Sequence, residues 1–156
     1  MCRLTGLRGR WETLREKPLV LCDTGHNSHG IQYVAQQLKT LPNPHVWIVF
    51  GMVNDKDTDV VMRLLPQAPP ALPMEGRKIY KYIFTTPNTK RARTAEEMLA
   101  MWESIQHSAF RIQPMAIDDP KEAINYALEH AAEEDAVFIG GSNYLVGEAL
   151  QMISNK

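Results

Sequence analysis

Asp23, His26, Asn27 and His29 fall within seven residues of one another in the stretch LVLCDTGHNSHG, Leu19 to Gly30. An apolar run, Leu19 to Cys22, stops at the acid, and an amphipathic pattern follows the cluster. A core strand needs no such cluster at its end. His26 shares a short loop with Asp23, which makes both candidates for a functional site. Asp23, His26 and His29 could also ligate zinc or iron. That reading is disfavoured, because His29 would sit on the first turn of a helix and the set matches no closed metal site. Asn27 is read as shaping the loop.

Three further segments carry polar residues directly after an apolar run: GMVNDKD (51–57), TTPNTKR (85–91) and GGSN (140–143). In an open parallel sheet, ligands bind beyond the carboxyl ends of the strands. These segments and the Asp23 loop therefore form one composite rim that carries Asp23, His26, Lys56, Asp57, Lys90, Arg91 and Ser142. Each has a plainer reading too. Ser28, Asp57 and Ser142 are equally explained as helix caps. Lys56 between two acids also reads as a solvated charge cluster. Gly140-Gly141 permits a close backbone approach or simply a tight turn. His45, His107 and His130 read as surface residues. Neither a G-x-x-x-x-G-K-[ST] loop nor a G-x-G-x-x-G turn after the first strand is present. The rim thus lacks the usual means of holding a triphosphate alone, and another domain would have to hold most of any nucleotide.

The elements that must position this rim are legible as alternating patterns. Candidate strands cover 18–23, 45–50, 79–85, 109–115 and 136–139, each short and rich in Val, Ile, Phe or Tyr. Continuous apolar runs such as VWIVF suit strands covered on both faces. After Ser28, the residues Ile31, Val34, Ala35 and Leu38 form one helical stripe. Thr94 with Glu97 matches a capping box, and Asp119-Pro120 reads as an N-cap followed by the first helical residue. Further helices are expected from Asp57 and from Ser142. Strand and helix alternating about five times imply right-handed crossovers and a three-layer α/β sandwich, Rossmann-like, with a mostly parallel sheet. Residues 66–78, with their prolines, read as a surface loop. The start, LTGLRGRWETL, shows no leading strand or helix and reads like the middle of a longer protein.

Bulk properties limit the alternatives. The chain has 156 residues, 44% apolar and 22% charged, with a formal net charge of -1, enough for one domain with a real core. That charge gives no general attraction to nucleic acid or anionic membranes. Cys2 and Cys22 make neither a disulfide framework nor a zinc site. No apolar run approaches a membrane span. A cytoplasmic domain is expected.

The segments GRWETL…PLVLCDTGHNSHG, VFGMVNDKDTDVVMRLL, IFTTPNTKRARTAEEM and VFIGGSNYLVGEAL resemble, in order, the C-terminal domain of folylpolyglutamate synthases and bacterial dihydrofolate synthases, within the Mur ligase superfamily. The family's G-R-[aromatic]-[E/Q] and D-x-A-H-N-P-H elements match Gly9 to Glu12 and Asp23 to His29, with Gly25 for Ala and Ser28 for Pro. Residues 1–156 would then be a single Mur ligase C-terminal domain, lacking the ATPase domain that carries the P-loop, most Mg²⁺ ligands and a carbamylated lysine.

The resemblance implies an ATP-dependent ligase. Mg²⁺-ATP phosphorylates a carboxylate of dihydropteroate or a folate, and the amine of L-glutamate attacks the acyl phosphate. By matching position, Arg10 would reach ATP phosphates, Asp23 the nucleotide ribose, and His26 the reaction centre. Lys56 and Ser142 would meet glutamate carboxylates. A monomer is implied, with the domain closing over its own N-terminal ATPase domain and nearly inactive alone. Two alternatives stand beside this: a peptidoglycan-precursor ligase domain, which the DTGHN and NDKD blocks disfavour, and a non-catalytic nucleotide-binding module.

Overall fold

A computed structural model of the chain describes residues 12–16, 18–23, 28–41, 43, 45–53, 79–87, 89–90, 92–105 and 114–154. Among these residues six strands form one sheet: β1 (Glu12–Glu16), β2 (Leu19–Asp23), β3 (His45–Phe50), β4 (Ile79–Phe84), β5 (Met115–Ala116) and β6 (Ala136–Gly140), in the order β1-β2-β6-β3-β4-β5. β1 runs antiparallel to β2, and every other neighbouring pair is parallel. Four helices are described: α1 (Ser28–Thr40), α2 (Ala95–Ile105), α3 (Pro120–His130) and α4 (Asn143–Ser154).

Period-two alternation decides which helix each strand residue meets. Leu21, Ile48, Phe50, Tyr82, Phe84 and Phe138 point to one face, where they pack with Ile31, Val34 and Leu38 of α1 and Met98 and Trp102 of α2. Val20, Cys22, Trp47, Val49, Val137 and Ile139 point to the other, against Ala123, Ile124 and Ala127 of α3 and Leu145, Val146 and Ala149 of α4. Burying both faces explains the unbroken apolar runs. The expected three-layer, mostly parallel α/β architecture is what forms.

Local signals set the helix starts. The Thr94 hydroxyl accepts the Glu97 N–H at 3.1 Å, while Glu97 Oε1 accepts the Thr94 N–H at 2.9 Å, the reciprocal pair of a capping box. This arrangement holds the Glu97 carboxyl below its ordinary value. The Thr94 backbone N–H is the main cause, opposed by slight desolvation and aided by the Thr94 hydroxyl and the Arg93 charge. Asp119 caps α3 by accepting the Lys121 N–H, and Pro120 occupies the first turn.

Two expectations need correction. Residues 12–16 form a strand where none was expected. β1 reads ETLRE, and Leu14 is the one apolar side chain it packs against the core, so no apolar run announces it. Such polar composition is what an edge strand carries. The strand expected at 109–115 is Met115–Ala116, two residues paired with β4; 109–113 lie outside the described residues. The helix expected from Asp57 and the loop at 66–78 also lie outside them.

Candidate functional site

The strand order places three carboxyl ends side by side. β6 is inserted between β2 and β3, so that Gly140 pairs with Asp23 on one side and with Phe50 on the other. The chain leaves β2 for α1 on one face of the sheet and leaves β6 for α4 on the opposite face. A crevice opens where neighbouring strands send their connections to opposite faces, and this is where open α/β sheets take ligands.

Backbone proximity at this corner is extreme. The Gly51 N–H donates to the Gly140 carbonyl at 3.2 Å. A Cβ on Gly141, whose φ is +106°, would stand 2.5 Å from the Gly51 oxygen. One on Gly51 would meet the Thr85 carbonyl at 2.7 Å, and one on Gly140 the Phe138 ring at 2.6 Å. The close approach expected of Gly140-Gly141 is therefore made to the protein's own strand ends.

Asp23, the last residue of β2, is 2% exposed. Its carboxylate lies at a strand end, where such groups accept hydroxyl hydrogens from a ribose or similar polyol. Ser142 is equally buried, and its Oγ accepts the Leu145 N–H at 3.1 Å. It therefore caps α4. Gly140, which pairs with Asp23, precedes Ser142 by two residues, so Asp23 and Ser142 follow the carboxyl ends of adjacent strands. Arg10, His26, Lys56, Asp57 and Arg91 lie outside the described residues, as do the side chains of Ser28 and His29.

The neighbouring corner is stitched by threonines. The Thr85 N–H donates to the Phe50 carbonyl at 3.0 Å, and its Oγ1 donates to the Asp118 carbonyl at 3.1 Å. The Thr86 hydroxyl donates to Asp118 Oδ1 and accepts the Ala95 N–H at 2.8 Å, satisfying an orphan donor at the start of α2. Beyond it opens a cleft of about 830 Å³ that holds Thr89, Lys90 and, 4.0 Å apart, Lys121 and Glu148. Lys90 thus sits on the rim, but at the β4–β5 end.

Sequence reasoning missed the tie between the β3 and β4 exits. The Arg93 N–H donates to the Met52 carbonyl at 2.8 Å, and Ala92 bridges Val53. No pattern in the sequence marks these residues, because the pairing joins loops some forty residues apart. Among the described residues, no group of three His, Cys, Asp or Glu side chains is placed to hold a metal ion. No described helix is long and apolar enough to cross a membrane. His130 is exposed; His45 is half-exposed, with Nδ1 3.4 Å from Asp135.

Known proteins share this fold. The family model described as "Mur ligase, glutamate ligase domain" matches residues 9–143. The dihydrofolate synthase/folylpolyglutamate synthase of Escherichia coli is 28% identical over 151 residues, covering 94% of this chain and 31% of that protein. A UDP-N-acetylmuramoyl-L-alanyl-D-glutamate–2,6-diaminopimelate ligase of Janthinobacterium is 26% identical, covering 98% of this chain and 28% of that protein. A structure of Escherichia coli FolC in complex with ADP superimposes with a TM-score of 0.76 at 25% identity, over 96% of this chain and 32% of that one. The Yersinia pestis bifunctional enzyme, complexed with AMPPNP and a Mn ion, shares the fold with a TM-score of 0.71 at 22% identity, over 96% and 32% of the two chains. The chain spans about a third of the length of these relatives. With its sheet order, its glycine-lined strand ends and a match over most of its length, the chain belongs to the Mur ligase glutamate ligase domain family.

Proposed function

We propose that this chain is the C-terminal domain of an ATP-dependent dihydrofolate/folylpolyglutamate synthase, which adds L-glutamate to dihydropteroate or to folates. The observation that carries the reading is the corner at which a buried Asp23 stands beside Gly140, which itself lies two residues before the Ser142 cap. The relatives support it: a FolC structure of the same fold is complexed with ADP, and the match to the E. coli enzyme runs nearly the whole length of this chain.

In this reading Asp23 accepts from the nucleotide ribose, and Arg10 grips phosphate oxygens through its guanidinium fork. His26 orients the reacting groups, while Lys56 and the Ser142 hydroxyl take glutamate carboxylates at the start of α4. Mg²⁺ neutralises phosphate charge when bound, held mainly by the ATPase domain expected to precede this one. The acyl phosphate formed on the pterin carboxylate is prone to hydrolysis. A domain that closes from this side excludes water and delivers the amine. The protein works in the cytoplasm as a monomer, and the 156-residue chain alone turns over little substrate.

A second reading is favoured by the diaminopimelate ligases among the relatives: a peptidoglycan-precursor ligase. One assay separates the two. The full-length protein is given ATP and labelled L-glutamate with dihydropteroate or tetrahydrofolate, and in parallel labelled diaminopimelate with a muramyl dipeptide nucleotide. ATP-dependent incorporation of glutamate into the pterin is expected. Incorporation only of diaminopimelate would transfer the assignment to the second reading. ATP binding with no ligation in either arm would leave a nucleotide-binding module.

A further inference from the structure

The Arg93 side chain is 28% exposed, yet its Nε is buried and has no hydrogen-bond partner among the described residues. Its nearest charged group among those residues is Glu97, with Oε2 3.8 Å from the guanidinium, too long for a hydrogen bond. The other oxygen of that carboxylate, Oε1, is already engaged by the Thr94 N–H and hydroxyl. A guanidinium is donor-only, and a buried N–H left without an acceptor is costly. The backbone beneath it is fixed. The Arg93 N–H is bonded to the Met52 carbonyl, on the segment leaving the carboxyl end of β3. Arg93 therefore stands on the ligand side of the sheet, next to the Gly51 corner and at the start of the eleven-residue helix α2.

We infer that Arg93 is a further anion-binding residue of the rim, whose fork takes an oxyanion of the bound substrates, either a phosphate or a carboxylate. Both offer paired oxygens at the spacing of Nε and a terminal nitrogen, and Arg prefers such bidentate partners to point charges. The neighbouring Glu97 holds the guanidinium loosely, so an arriving oxyanion can replace that contact. This inference rests on the rim being the ligand-binding face of a ligase domain, and it adds a residue that the family motif blocks do not single out.

The test follows the Nε–H signal of Arg93 in ¹⁵N-correlated spectra of the 156-residue chain. The sheet of this chain is covered on both faces by its own helices. The signal is assigned through bonds and checked by its loss in Arg93→Lys. The probes are ADP, inorganic phosphate and L-glutamate, each raised to about 10 mM. A saturable shift with ADP or phosphate assigns the oxyanion to phosphate; a shift with glutamate alone assigns it to a carboxylate. Either supports the inference. Arg93→Lys, which keeps the charge but loses the fork, then weakens that probe about tenfold. If the amides of Asp23 and Ser142 move while the Arg93 signal stays still, the inference falls and the reading of the rim survives. If nothing moves with any probe, the inference falls, and the reading of the rim is decided by the ligation assay on the full-length protein.

Discussion

Replacing Gly141 by Ala should be among the most damaging single-methyl changes in this chain, while the same change at Gly147 should be harmless or better. At Gly141 two costs combine. A φ of +106° strains any L side chain by about 1–2 kcal/mol. The added Cβ would also sit 2.5 Å from the Gly51 carbonyl oxygen, which is backbone and has little room. Moving Gly51 away breaks its N–H bond to Gly140, worth roughly 1 kcal/mol. The sum is about 2–3 kcal/mol, which for a domain of this size lowers Tm by roughly 5–10 °C. Gly147 lies inside α4 with nothing within 4 Å of an added methyl, and Ala there gains roughly 0.5–1 kcal/mol of helix propensity. Thermal unfolding of the two variants, followed by circular dichroism, gives opposite signs if the reasoning holds. A Gly141→Ala protein that melts within a degree of wild type would refute the claim that the corner has no slack.

Three other outcomes are expected. Asp135→Ala strips the acceptor from the Trp47 Nε1–H and the Ala132 N–H, and should cost about 2–4 kcal/mol in urea unfolding monitored by Trp fluorescence. Because the Glu97 carboxyl titrates below its ordinary 4.5 in the folded chain, its contribution is complete above that value. It is lost as pH falls through the lowered folded value, so wild type should lose Tm there while Glu97→Gln does not; parallel acid profiles of the two would count against the capping box. In the full-length enzyme, Asp23→Ala should raise the KM for ATP by roughly tenfold, the scale of one charged hydrogen bond, and His26→Ala should lower kcat more than it weakens ATP binding. Wild-type kinetics in either variant removes that residue from the site.

The elements that local chemistry decides were legible without coordinates. The Thr94–Glu97 box and the Asp119-Pro120 start form because their partners lie within three residues, and the short, β-branched VWIVF and VFIG runs suit strands that helices cover on both faces. The polar residues that follow each strand were legible in the same way. Only the tertiary structure decided that β6 enters between β2 and β3, which puts Asp23 beside Gly140, two residues before Ser142; that adjacency is a property of strand order, and no spacing along the chain encodes it. The edge strand β1 was hidden for a related reason, since a strand with one covered side needs few apolar residues. Arg93 was hidden because its place depends on a loop-to-loop bond to Met52. Sequence determines what each segment can become on its own, while the sheet order determines which segment ends meet.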